Sequence, residues 1–221
     1  MRILYIDHYA GSPTLGMEYR PHAMATEWAG MGAETVLLAG THSHLRKKNF
    51  PDAKPLEPVE IDGVEFRFIR NRAYDGNGIG RVLSMADFVG RGWLAARRIA
   101  REVRPDAVIA SSTYPFDTYL AQRVAKASGA LLVHEIHDLW PLTPIELGGH
   151  SPKHPLMWAM AQAEKSAYRN SDAVVSILPN AEPHVRSLGI VTPVIPIPNG
   201  IESDAPHEPA PESFASQVED L

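Results

Sequence analysis

The feature that most constrains this chain is a repeated switch between short aliphatic runs and longer segments of helical periodicity. Residues 3–6, 35–39, 107–110, 130–136, 173–177 and 194–197 are apolar and of strand length. Between them lie helical patterns reaching about Gly30 and spanning 81–103, 116–127, 156–168 and 181–188. The first helix carries Met24, Trp28 and Met31 at helical spacing, and 81–103 carries Val82, Met85, Val89, Trp93, Ala96 and Val103. Repetition of this kind predicts an α/β fold: a Rossmann-like parallel sheet with helices on both faces. One hairpin interrupts it, at 59–68 around Asp62-Gly63. Ligands of such sheets bind beyond the carboxyl ends of the strands, so the residues that follow strands are the ones to weigh.

Composition removes several chemistries. The 221 residues include no cysteine, which excludes disulfides, thiol nucleophiles and cysteine metal sites. No run approaches the roughly 18 apolar residues of a membrane span. The opening Met1-Arg2-Ile3-Leu4-Tyr5-Ile6-Asp7 meets a charge too early for a signal peptide, so a cytoplasmic location is expected. The net charge is −5, but six acids fall within residues 201–221, and removing them leaves +1. That segment also holds Pro206, Pro209 and Pro211, and reads as an acidic linker after a domain at 1–200.

Four segments carry candidate chemistry. The turn Gly11-Ser12-Pro13-Thr14-Leu15-Gly16 precedes a helix, where glycines and free N–H groups suit a phosphate, or where a tight turn simply needs glycine. Glu18 and Arg20 follow it, as substrate contacts or as a surface pair. Ser111, Ser112, Thr113 and Tyr114 offer hydroxyls to a sugar or a cap to the next helix. His137-Asp138 ends a strand, where a histidine shuttles protons, stabilises charge, or is merely held in a turn. Metal binding is disfavoured, since His134 and His137 sit at i and i+3 of a strand and face opposite ways. Between Arg67 and Arg104 stand nine arginines against three acids. Arg91, Arg97, Arg98 and Arg101 share the polar side of one helix, which suits an anionic membrane or an ordinary solvated face. Nucleic acid is disfavoured because no aromatics interleave with these arginines.

Together these segments resemble the N-terminal half of retaining GT-B glycosyltransferases of family 4, nearest the bacterial group that builds O-antigen, capsule or exopolysaccharide. The resemblance rests on Gly16-Met17-Glu18-Tyr19-Arg20-Pro21, Ser43-His44-Leu45-Arg46, Gly76-Asn77-Gly78 and Pro105-Asp106. It continues through Ser111-Ser112-Thr113-Tyr114-Pro115, His137-Asp138-Leu139-Trp140-Pro141-Leu142, Glu146-Leu147-Gly148-Gly149, Ser171-Asp172-Ala173-Val174-Val175 and Ile197-Pro198-Asn199-Gly200-Ile201. It implies one half of a GT-B fold that holds the acceptor, a glycan or lipid-linked glycan, while a C-terminal domain missing from these residues binds the nucleotide-sugar donor. Gly16 and Met17 would meet the donor diphosphate, and His137 would be the catalytic histidine against the donor sugar. Glu18, Arg20, His44, Arg46, Ser111, Ser112, Thr113, Tyr114 and Asp138 would serve the acceptor. Backbone dipoles and basic residues would stabilise the departing phosphate, with no cofactor or essential metal. The domain alone is expected to be inactive. The alternative expectation is a free-standing glycan- or nucleotide-binding module.

Overall fold

A computed structural model describes residues 1–76 and 78–200; Asn77 and the expected acidic linker at 201–221 lie outside the described residues. The order is β1 (Arg2–Ile6), α1 (Arg20–Gly30), β2 (Glu34–Gly40), β3 (Val59–Ile61), β4 (Val64–Ile69), α2 (Ile79–Val103), β5 (Ala107–Ala110) and α3 (Asp117–Ser128). It continues with β6 (Leu131–Ile136), α4 (Leu142–Glu146), α5 (Pro155–Asn170), β7 (Ala173–Ser176), α6 (Ala181–Ser187) and β8 (Val194–Pro196). The strands form one sheet in the order β3-β4-β2-β1-β5-β6-β7-β8. Every pairing is parallel except that of β3 with β4, the expected hairpin. Asp62 and Gly63 both take positive φ there, 49° and 80°, as a two-residue hairpin turn requires. From β1 the chain winds outward to β2 on one side and later to β5 on the other. The switch in strand order therefore falls between β1 and β5.

Alternation along the central strands divides the core. Leu4, Ile6, Val36, Leu38, Val108 and Ala110 face Phe88, Ala96 and Ile99 of α2 and Leu120 and Val124 of α3. Tyr5, Leu37, Ala39, Phe66 and Phe68 face Met24, Ala25 and Trp28 of α1. Helices thus cover both faces, as the near-continuous burial of β1 and β2 demands.

Two expected core residues lie outside it. Met31 comes after the last turn of α1 and is 79% exposed. Trp93 is 41% exposed, with the Arg123 guanidinium 3.4 Å above its ring. The buried line of α2 runs instead through Met85, Phe88, Gly92, Ala96, Ile99 and Val103. A Cβ on Gly92 would stand 2.6 Å from a Leu120 methyl, so this glycine brings α3 close and turns Trp93 outward. The helix α4 was not foreseen from the sequence, and α2 begins two residues earlier than the helical pattern at 81–103.

Candidate functional site

At the ends of β1, β5 and β6 the apolar pattern breaks, and the polar residues that break it bond to one another. On β6, residues 133 and 135 point to the α1 side and 134 to the other, and His137 follows directly on the strand end. Glu135 is therefore aimed beneath α1, buried beside Tyr5 of β1. Arg20, from the first turn of α1, donates from Nε and Nη2 to Glu135 Oε1 at 3.1 and 2.8 Å. Oε2 accepts from the Tyr5 hydroxyl, from Ser111 Oγ at 2.7 Å and, at 3.3 Å, from His137 Nε2. Ser111 Oγ also accepts from His137 Nε2 at 2.8 Å. The remaining Arg20 donors reach the carbonyls of Ile197 and Pro198 and the side chain of Asn199, so one guanidinium joins α1, β6 and the segment after β8.

These bonds set the charges. Burial alone would raise the Glu135 carboxyl, but His137 and Arg20 hold it well below the usual carboxylate range. For His137, burial disfavours the imidazolium, yet the Glu135 hydrogen bond and charge outweigh it and hold the pKa above the ordinary histidine value. Asp7 and Asp117 differ: burial pushes each up to about 7. Asp7 accepts from the Tyr9 N–H, and Asp117 accepts from the Ser112 N–H while its Oδ1 lies buried without a hydrogen-bond partner among the described residues.

His8, next to Asp7, occupies the switch point. Its ring stacks between Tyr9 and Phe88, Nδ1 lies 2.8 Å from the Tyr114 hydroxyl and Nε2 lies 3.0 Å from Asn71 Nδ2. Its backbone N–H donates to Ser112 Oγ. Burial holds this histidine well below its ordinary pKa, so it is neutral. Ser112 and Tyr114 are thereby engaged within the protein, and Thr113 keeps a buried Oγ1 with no partner among the described residues. The expected cap is absent: α3 begins at Asp117 with no side-chain cap bond, and Asp117 reaches back to the turn instead.

The glycine turn closes on itself and on the loop after β2. Gly16 has φ of 100° and pairs with both Ser12 and Arg46, while Lys47 N–H donates to the Leu15 carbonyl. Arg46 is buried, with its guanidinium donating to the carbonyls of His8, Ala10 and Gly40. His44 Nδ1 lies 2.6 Å from the Tyr74 hydroxyl. Met17 is exposed and Glu18 half-buried, and the Glu18 charge is felt by both Asp7 and His137. Asp138 is exposed and accepts from Leu139 N–H and Thr143 Oγ1, shaping the entry to α4.

The structure thus gathers Gly16, Glu18, Arg20, Ser111 and His137 about β1, β5 and β6, with His44 and Arg46 on the β2 side. Reading the sequence for motifs passed over Tyr5, Asp7, His8, Asn71, Asp117 and Glu135. The available signal was an acid inside an aliphatic strand, as at Glu135, and the Asp7-His8 pair ending the first run.

Fold comparison agrees with this geometry. Sucrose-phosphate synthase from Thermosynechococcus elongatus superposes with a TM-score of 0.66 at 14% identity, over 91% of this chain and 48% of that one. The lipopolysaccharide outer core galactosyltransferase WaaB, in its apo form, gives 0.54 at 13% identity over 96% and 49%. Anabaena HepE in complex with UDP-glucose gives 0.53 at 14% identity over 100% and 50%. The chain spans about half the length of each of these three structures, and its sheet corresponds to one half of their GT-B fold. No curated protein matches it by sequence. The match to the family model is extensive, covering residues 16–200 from the glycine turn to the Arg20 partners at 197–199, and the chain belongs to the glycosyl transferase 4-like domain family.

Proposed function

We propose that this domain is the acceptor-side half of a retaining glycosyltransferase. Its donor is a nucleotide-sugar and its acceptor a lipid-linked glycan of O-antigen, capsule or exopolysaccharide synthesis at the cytoplasmic membrane face. The observation that carries the reading is His137, a strand-end histidine whose Nε2 is fixed by Ser111 and Glu135 and whose charged form Glu135 favours. In the reaction the bond between the anomeric carbon and the diphosphate oxygen breaks. A bond to an acceptor hydroxyl oxygen forms, and the hydroxyl proton passes to the departing diphosphate oxygen. With Nε2 engaged, His137 Nδ1 is the atom that faces the donor sugar and offsets the developing negative charge. Gly16 and Met17 adjoin the diphosphate. Glu18, His44 and Thr113 of the hydroxyl turn serve the acceptor, while Arg20, Arg46, Ser112 and Tyr114 position the backbone around it. The UDP-glucose bound by HepE supports a nucleotide-sugar donor.

In the enzyme that carries this domain, His137→Ala lowers kcat by about two to three orders of magnitude, as loss of an oxyanion-type donor does, with the fold retained. Wild-type turnover in that variant removes the catalytic assignment. Residues 1–221 alone fold but transfer no sugar; Gly16-dependent transfer by them shows that a second domain is not required.

A further inference from the structure

A second concavity opens beyond the carboxyl ends of β2 and β4, apart from the His137 network. It is a groove of about 600 Å3 that includes Arg70, Arg72 and Arg91 among its walls, with Asp87 the sole carboxylate lining it among the described residues. Asp87 is already committed, since Arg72 Nε and Nη2 donate to its two oxygens at 2.7 and 3.1 Å. Arg91 touches Asp87 only through its charge, and among the described residues neither Arg70 nor Arg91 forms an ion pair. The groove therefore holds two guanidinium charges in excess. They come from different elements, the end of β4 and the middle of α2, and converge on one cavity. Guanidinium groups match the paired oxygens of carboxylates and phosphates.

The groove is also wired to the site. Asn71 lines it, and its amide meets His42 O, Ser84 Oγ and His8 Nε2 at 2.9, 2.7 and 3.0 Å. His8 in turn holds Tyr114 and Ser112 of the hydroxyl turn. A ligand seated between Arg70 and Arg91 is thus two side chains away from the residues that follow β5.

We propose that this groove binds an anionic group, carboxylate or phosphate, carried by the glycan acceptor. The proposal rests on the acceptor-side reading above and adds the acceptor's charge class.

The test is a titration of the 221-residue chain with inorganic phosphate, with methyl glucuronoside and, as the neutral control, with methyl glucoside, following backbone amide shifts by NMR. Saturable shifts at residues 41–42 and 70–73 are expected with an anion and not with the glucoside. Phosphate or glucuronoside binding the tighter identifies the source of the charge. Arg70→Gln with Arg91→Gln weakens that binding by about tenfold or more. Both side chains are exposed, so the spectrum away from the groove stays unchanged. Glucoside binding as tightly as the anions, or anion binding indifferent to the two substitutions, overturns the proposal. The readout involves no sugar transfer. A chain that binds anions here within an enzyme that transfers no sugar counts against the functional reading alone.

Discussion

Arg20 and Glu135 form a buried ion pair, with both contacting nitrogens on one carboxylate oxygen and the second oxygen left to Tyr5, Ser111 and His137. The division matters because the pair does two jobs at once. One oxygen anchors α1 and the segment after β8, and the other orients the proposed catalytic histidine.

Glu135→Gln is expected to destabilise the fold by about 3–5 kcal/mol, since it strands a guanidinium whose burial was compensated by this carboxylate. The same change withdraws the charge that raises His137, so the His137 midpoint falls in a histidine NMR titration. Urea denaturation gives the first quantity. An unchanged midpoint for His137 rules out Glu135 as the group that charges it.

Stability is expected to fall on both sides of a mildly acidic optimum. Glu135 is depressed in the fold, so its contribution is present above the unfolded carboxylate value and disappears as pH drops through the folded one. His137 is raised, so its contribution is full below the ordinary histidine pKa and is lost as pH rises through the folded value. Asp117, lifted from 3.8 to about 7, ionises freely when unfolded but stays protonated when folded, so stability declines between those pH values. Asp117→Asn keeps an acceptor for the Ser112 N–H and cannot ionise. At pH 8 it should exceed the wild type by on the order of 1–3 kcal/mol, and at pH 4 the two should match. Equal denaturation midpoints at pH 8 would contradict this account of Asp117.

The glycine turn is expected to tolerate no side chain. A Cβ on Gly11 would lie 1.9 Å from the Gly16 carbonyl oxygen, and one on Gly16 would combine φ of 100° with an approach of 3.1 Å to the Lys47 nitrogen. Gly16→Ala should cost about 1–3 kcal/mol through the positive φ, and Gly11→Ala more, because its obstacle is backbone. Thermal denaturation ranks them. A Gly11→Ala protein as stable as the wild type would mean the turn does not close as described.

Arg97, Arg98 and Arg101 are exposed along α2, with Arg98 tied to Glu102 at 2.7 Å. If the domain works against an anionic bilayer, each contributes about 1 kcal/mol of electrostatic attraction, fading beyond a Debye length. Reversing all three to Glu should release the protein from anionic vesicles, and added salt should do the same to the wild type. Co-sedimentation indifferent to both leaves α2 as a solvated face. Arg91 is excluded from this set because it lines the groove.

What the sequence determined by itself is the architecture. The aliphatic runs of β1 and β2, the Asp62-Gly63 turn and the helical stripes are local patterns, and each is readable where it stands. The approximate placing of the polar cluster at the strand ends follows too, because ligand residues succeed strands in a parallel sheet. Which residues meet was decided only by tertiary structure. Tyr5 and Glu135 are 130 positions apart, and Arg20 reaches Asn199 across 179. Their contact depends on β1, β5 and β6 lying side by side, which no local window contains. The same cause misleads in the other direction. Arg46 and Tyr114 look like free ligands along the chain, yet buried carbonyls and a buried imidazole claim them, because polar groups taken out of water must find partners within the fold. The low carboxyl of Glu135 is likewise a tertiary property, since Arg20, 115 positions away, helps to hold it there.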